Sequence, residues 1–346
     1  MMLNVTEKDL SEEEKKYLQE LHKTVYEKAK YETDRFCVIC GKEVSSYCNS
    51  HSVPKFCLLN ISFGQRLDCL NSIIRQPIGK LELGAKEAGV FFSICRECDT
   101  REFKTYETPE LYEKKEVSQT MMYQIAMKCY VREIYRHRLQ QKYYSYFNSE
   151  CIVPIKIGFD ELAKAEMDDL MAFSNEYIQL RKGKIKFEML YYEKLPYKVP
   201  IAFQDCINVV SDFNGDLINN PYLDSKKQQM LFVCVFPLKK ESVVIIFTDK
   251  NKRHYSTFIK QFKKLNLENK LKSILFMMFA YSENFFISKN IKADLINDKK
   301  IMEIAKFLTL NVNAPRSIAI KEALLQFKLS NAFELENYLD EKYSLC

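Results

Sequence analysis

Apolar and polar positions change period along the chain, and the changes mark its elements. Residues 11–31 place Tyr17, Leu18, Leu21, Val25 and Ala29 on one helical face, with charge on the other and a Ser11/Glu14 capping-box pattern at the start. This spacing predicts an amphipathic helix packed on something larger. From Phe56 to Ile78 apolar residues mix with Gly64 and Pro77, which predicts short helix and loop. Residues 89–94 are β-prone and run into Cys95, and a helix is expected from about Asp99 through Tyr106. A long helical pattern follows from Ser118 to Phe147, with Met122, Ile125, Ala126, Cys129 and Ile134 as its apolar stripe.

Pro154 and Gly158 then break the chain and suggest a domain junction. Beyond it, a helix is expected from Asp160 to about Arg181, with strand-like runs at 184–193, 201–210, 230–237 and 242–248. The runs 231–236 and 243–247 read as a buried antiparallel hairpin. Helices are expected at 253–265 and 268–282, a short strand at Phe285–Ser288, then helices at about 299–309 and 315–328. The expected fold class is therefore α+β. A helical region over 1–150 carries a cysteine-rich core at 34–107, and a mixed α/β domain occupies 151–346. No internal repeat or low-complexity tract interrupts this order.

Composition changes the picture little. Hydrophobic content is 47% and charged content 28%, ordinary for a globular protein, and Trp is absent while Tyr (21) and Phe (24) are plentiful. No apolar run reaches the ~20 residues that span a bilayer. The segment Met1–Glu14 is acidic and polar, unlike a secretion signal, so a cytoplasmic protein is expected. Twelve cysteines in a reducing compartment point to metal ligation rather than disulfides. Cys129, Cys206 and Cys234 lie in apolar surroundings and read as small core residues. A net charge of +6 permits a nucleic-acid partner without establishing one.

The cysteines carry the sharpest signal. Cys37-Val-Ile-Cys40 and Cys95-Arg-Glu-Cys98 each place two thiolates on a tight turn. Two such turns complete a four-thiolate shell, the usual closed structural zinc site. Gly41 fits the left-handed turn that closes the first knuckle. Cys48 and His51 also follow Cys40 at ligand-like spacing, so Cys37, Cys40, Cys48 and His51 form an alternative compact set. That set leaves Cys95 and Cys98 alone or paired with Cys57 and Cys69. A long insert between knuckles suits a treble clef, with a hairpin carrying the first pair and a helix starting at the second.

The order C-x2-C-G, Ser50-His51-x-Val53-Pro54-Lys55, then Ile94-Cys-x-x-Cys-Asp99 resembles the zinc-bearing treble-clef branch of HNH endonucleases over about residues 36–107. It is also similar to uncharacterised bacterial proteins suspected of roles in defence against phage. The resemblance implies His51 as the general base that deprotonates water, a role suited to an imidazole with a pKa of ~6.5. It implies Asp99 as ligand of a catalytic Mg or Mn ion, with Glu102 and Glu107 as further oxygen donors. The sequence departs from the family at two places. Ser50 stands where an acidic residue precedes the His, and the middle Asn falls at Val90.

Basic residues supply candidate nucleic-acid contacts. Arg132 and Arg136 crowd the later turns of the long helix, where the macrodipole alone also favours cations. Lys252 and Arg253 belong to a basic run, Lys250–His254, with Tyr255 and Phe258 interleaved. No Walker loop or dinucleotide fingerprint is present, and with 8 Gly in all, nucleotide-cradling loops are not expected. Two functions follow as expectations. One is an HNH-like, metal-dependent nuclease acting on DNA or RNA. The other is a non-catalytic, zinc-stabilised module that binds nucleic acid or a protein partner.

Overall fold

A computed structural model describes residues 11–31, 35–69, 82–113, 117–151, 158–221, 228–305 and 316–345. Helix α1 (Glu12–Tyr31) opens on the expected capping box, in which Ser11 Oγ accepts from Glu14 N at 3.2 Å and Glu14 Oε2 accepts from Ser11 N at 2.7 Å. The short elements β1 (Ser50–His51), α2 (Lys55–Ile61), β2 (Arg66–Cys69), β3 (Glu82–Gly84), β4 (Val90–Phe91) and α3 (Arg96–Phe103) make up the cysteine-rich region. Helices α4 (Gln119–Glu150) and α5 (Phe159–Arg181) follow and pack on each other.

The second part contains β5 (Phe187–Leu195), β6 (Ile201–Ile207), β7 (Leu231–Pro237), β8 (Ser242–Asp249), α6 (Ser256–Lys263), α7 (Leu267–Tyr281), β9 (Phe285–Ile287), α8 (Lys292–Asn297), α9 (Lys299–Ile304) and α10 (Arg316–Gln326). Seven strands form one antiparallel sheet in the order β3-β2-β9-β6-β7-β8-β5. The expected hairpin lies between β6 and the edge strand β5, with Phe232 opposite Phe247 and Val235 opposite Val244.

Why these strands read as continuous apolar runs is visible in the packing. Along β7, Phe232, Cys234 and Phe236 enter one core, shared with α4, while Leu231, Val233 and Val235 enter the other, shared with α7. Strand β8 splits the same way, Val243, Ile245 and Phe247 against Val244 and Ile246. With helices on both faces, the period of two that usually shows as apolar and polar separates two apolar cores instead.

Several elements differ from the sequence reading. Strand β2 was not expected, because its polar alternation through Arg66 and Asp68 hides an inward Leu67. Of the β-prone run 89–94, two residues pair, because their partner β1 is two residues long. Helix α3 begins at Arg96 rather than Asp99, since Cys95 Sγ accepts from Cys98 N at 3.4 Å and caps it. The junction at Pro154, residues 70–78 of the expected short helix and loop, and the span 306–315 lie outside the described residues. The expected boundary at 150/151 falls between α4 and α5, and strands from both sides of it share the seven-stranded sheet.

This last feature positions the site. The β1/β4 pair rests on the sheet at Gly89, which adopts φ +68° and has no room for a side chain. A Cβ there would stand 2.6 Å from both Phe286 Cζ and Ser52 Oγ. Beside it, Ser52 Oγ donates to Asn284 Oδ1 at 2.8 Å, and Asn284 Nδ2 donates to the Gln204 carbonyl at 2.6 Å.

Candidate metal centre and the adjoining polar cluster

The first knuckle is carried by a small loop closed by an antiparallel bridge between Phe36 and Glu43. Gly41, at φ +69°, donates to the Cys37 carbonyl at 2.8 Å, as the left-handed closing turn requires. Val38 N donates to the Ser93 carbonyl at 2.9 Å, which draws this loop to the second knuckle. Cys95 N then donates to Cys37 Sγ at 3.3 Å.

The four sulfurs of Cys37, Cys40, Cys95 and Cys98 consequently lie within 4.8 Å of one another, with Cys40 and Cys95 4.0 Å apart. Tetrahedral zinc with Zn–S of about 2.3 Å places its sulfurs about 3.8 Å apart, so the donor set and spacing can hold such an ion. Burial pushes the Cys37 and Cys98 thiols up, and a bound cation reverses that by stabilising thiolates. The all-thiolate set is therefore the one that assembles. Cys48 turns away from it and donates to Asp99 Oδ2 at 3.5 Å, and burial, with the Asp99 charge adding, pushes its thiol up to about 11. Cys57 is buried in the core, and the side chain of Cys69 lies outside the described residues.

His51 is on β1, directly across from Val90 on β4. Its Nε2 is buried without a hydrogen-bond partner. Burial first, then the charges of Lys55 and Lys128, push its pKa down to about 4. The imidazole is therefore neutral at pH 7, with a lone pair on Nε2. A buried unsatisfied nitrogen costs about 1–3 kcal/mol and is uncommon.

Asp99 lies in the first turn of α3, and two groups converge on its Oδ1. Ser50 Oγ donates at 2.6 Å, and Lys128 Nζ, from the middle of α4, lies at 3.0 Å. Lys128 Nζ also donates to Ser50 Oγ at 2.9 Å, pairs with Glu107 Oε1 at 3.1 Å and stands 3.7 Å from the centre of the Phe103 ring. The Lys128 side chain is 0% exposed. Burial raises the Asp99 carboxyl, but Lys128 and the hydroxyl of Ser50 outweigh it and hold it below its usual value. For Glu107 the balance reverses: burial dominates over Lys128, and its carboxyl is raised.

Other expected site residues are placed elsewhere. Glu102 faces away from Asp99, bonding Arg101 at 2.8 Å and Arg181 at 3.2 Å, so it contributes nothing to a shared cation position. Arg132 and Arg136 are corrected as nucleic-acid contacts. Arg132 is buried between Glu133 and Asp205, and Arg136 bonds Glu133 at 2.6 Å and Gln140 at 3.0 Å. The stripe of α4 that carries them faces protein, so the cations neutralise internal carboxylates. Lys252 pairs with Glu176 at 3.1 Å, while Arg253 is exposed.

Folding brings Lys182, Lys184 and Lys186, which sequence reasoning missed, beside the expected basic run. Lys250 N donates to the Lys186 carbonyl at 2.7 Å, and Asn251 Nδ2 donates to the Lys184 carbonyl at 3.1 Å. The loop 182–186 thereby meets the turn after β8, and exposed Lys182, Lys184, Lys186, Lys250 and Arg253 share one end of the β5/β8 edge. Glu188 and Asp249 are the acidic residues of the same stretches.

Lys128 was missed as well. It was legible as the first charge in α4, alone among the apolar and uncharged residues 119–131. Nothing in the local pattern says that it reaches Asp99, 29 residues away.

Among the described residues no helix is long and apolar enough to cross a membrane. No protein-family model, curated protein or solved structure matches the chain.

Proposed function

We propose that the chain is a nucleic-acid-binding protein built around a zinc-stabilised module of the HNH-like treble-clef kind. What carries the reading is the convergence of Lys182, Lys184, Lys186, Lys250 and Arg253 at one sheet edge. Their charges face solvent, as phosphate contacts require, whereas Arg132 and Arg136 are consumed internally. The treble-clef assignment is supported by the order of elements: a knuckle loop, the β1/β4 pair, a second knuckle, then α3. It is supported too by the register that sets His51 opposite Val90, the two positions the resemblance assigns to one centre. Bacterial anti-phage defence is the setting in which similar chains are suspected, and it belongs to the same proposal.

The test is an electrophoretic shift of double- and single-stranded DNA and of RNA across a salt series. Each phosphate contact contributes about −0.9 to the slope of log K against log salt on duplex DNA and about −0.7 on single strands. Replacing Lys184, Lys250 and Arg253 by Glu should flatten the slope by about 2–3 units if these residues meet phosphates. An unchanged slope and affinity in the folded variant would refute it.

A second reading, hydrolysis, is favoured by the unpartnered His51 Nε2. There His51 Nε2 takes a proton from the attacking water. The Mg or Mn ion that the resemblance implies does not fit these residues as arranged, because Lys128 already satisfies Asp99 and Glu107 and Glu102 is paired elsewhere. Hydrolysis is therefore traced through His51 alone. Nicking of DNA or RNA that disappears in a folded His51→Ala variant would establish this reading. No cleavage with or without divalent ions would remove it.

A further inference from the structure

We infer that Lys128 is the resident cation of the cluster, its ammonium standing where the HNH-like reading expects a divalent ion. The observation is the convergence of oxygens on one nitrogen. Asp99 Oδ1, Glu107 Oε1 and Ser50 Oγ lie 3.0, 3.1 and 2.9 Å from Lys128 Nζ. Two carboxylates brought together out of water repel unless a cation lies between them. A divalent ion takes its oxygens at about 2.0–2.6 Å, and an ammonium at hydrogen-bond distance fulfils the same electrostatic need.

The rest of the pocket fits an ammonium rather than a metal. The fourth neighbour is the face of Phe103, a ring that attracts a cation but offers no ligand atom to a hard ion. Cys48, near Asp99 Oδ2, is a soft donor that Mg or Mn disfavours. The ammonium is tethered to a buried helix, so its local concentration is fixed by the fold and competes with any dissolved ion. Ser50 belongs to this arrangement. Where the HNH pattern carries an acidic residue, a hydroxyl here both accepts from Lys128 and donates to Asp99. One change explains the other: a cation of single charge needs fewer negative partners.

The inference rests on the HNH-like reading only for where a divalent ion is to be sought. Its test uses no nucleic acid, so the two fail separately. Zinc-loaded full-length protein is titrated with Mn2+, and bound ion is read from the loss of the free-ion paramagnetic resonance signal. Wild type should take up no Mn2+ that depends on Asp99. Lys128→Ala should gain one Mn2+ per chain and lose it again when Asp99→Asn is added. Should Lys128→Ala fail to fold, wild type and Asp99→Asn decide alone: equal Mn2+ curves support the inference. Mn2+ uptake by wild type that Asp99→Asn abolishes would overturn it. So would a folded Lys128→Ala chain that gains none.

Discussion

Replacing Lys128 by Met keeps most of the buried stem and removes the charge. In the wild type the ammonium is 0% exposed and lies 3.0 Å from Asp99 and 3.1 Å from Glu107. At an effective dielectric of 20, each contact represents about 5 kcal/mol of gross attraction. Desolvation offsets much of that in the intact pair, but deleting one partner leaves the others buried and uncompensated. Such deletions cost about 3–5 kcal/mol. Folding entropy near 2.1 cal/mol/K per residue over 346 residues converts this into a fall of about 4–7 °C in Tm for cooperative unfolding. The assay is urea or thermal unfolding with zinc content held constant. The pH dependence adds a signature. In the variant, the freed carboxyls have folded pKa values above their unfolded ones, so stability is gained as pH falls. In the wild type, Asp99 is held below its usual value, so its contribution persists across this interval and is lost only below the unfolded carboxyl pKa of ~3.9. The gap between the two should therefore narrow from pH 7 to about pH 5.5. A cost below about 1 kcal/mol, or a gap constant with pH, would refute the account of Lys128 as a compensating charge.

Three further outcomes are expected. Changing Cys95 and Cys98 to Ser should abolish zinc binding measured by metal analysis, whereas a compact Cys37, Cys40, Cys48 and His51 site would retain it. His51, with its pKa pushed down to about 4, binds its proton more weakly folded than unfolded, so its contribution is present above about pH 6.5 and lost as pH falls. Relative to His51→Gln, wild type should lose about 2 kcal/mol more between pH 7 and pH 5 in chemical denaturation at constant zinc; parallel curves would contradict the burial of a neutral ring. Gly89→Ala should destabilise by about 2–4 kcal/mol, combining overpacking against Phe286 and Ser52 with a left-handed backbone, and Ser52→Ala added to it should restore part of the loss.

Much of this molecule is written locally. Helix α1 follows from the capping box and the spacing of Leu18, Leu21 and Val25. The hairpin of β7 and β8 follows from two apolar runs and a polar turn. The ligand spacing offers Cys37, Cys40, Cys95 and Cys98 as a candidate metal-binding set beside the compact alternative with Cys48 and His51, because C-x2-C is itself a geometric statement about one turn, and the fold brings the four thiols together. What the chain could not declare is which partner each charge would meet. Arg132 and Arg136 carry the same local signature as a phosphate-binding face, yet Asp205 and Glu133 absorb them. Lys128 resembles an isolated charge in an apolar helix until α4 packs beside α3 and meets Asp99 and Glu107. Lys184 and Lys250 become neighbours through strand pairing between residues more than sixty positions apart. Periodicity and ligand spacing act within a few residues and survive in sequence. Charge pairing depends on distance in space, and only the packed sheet and helices set it.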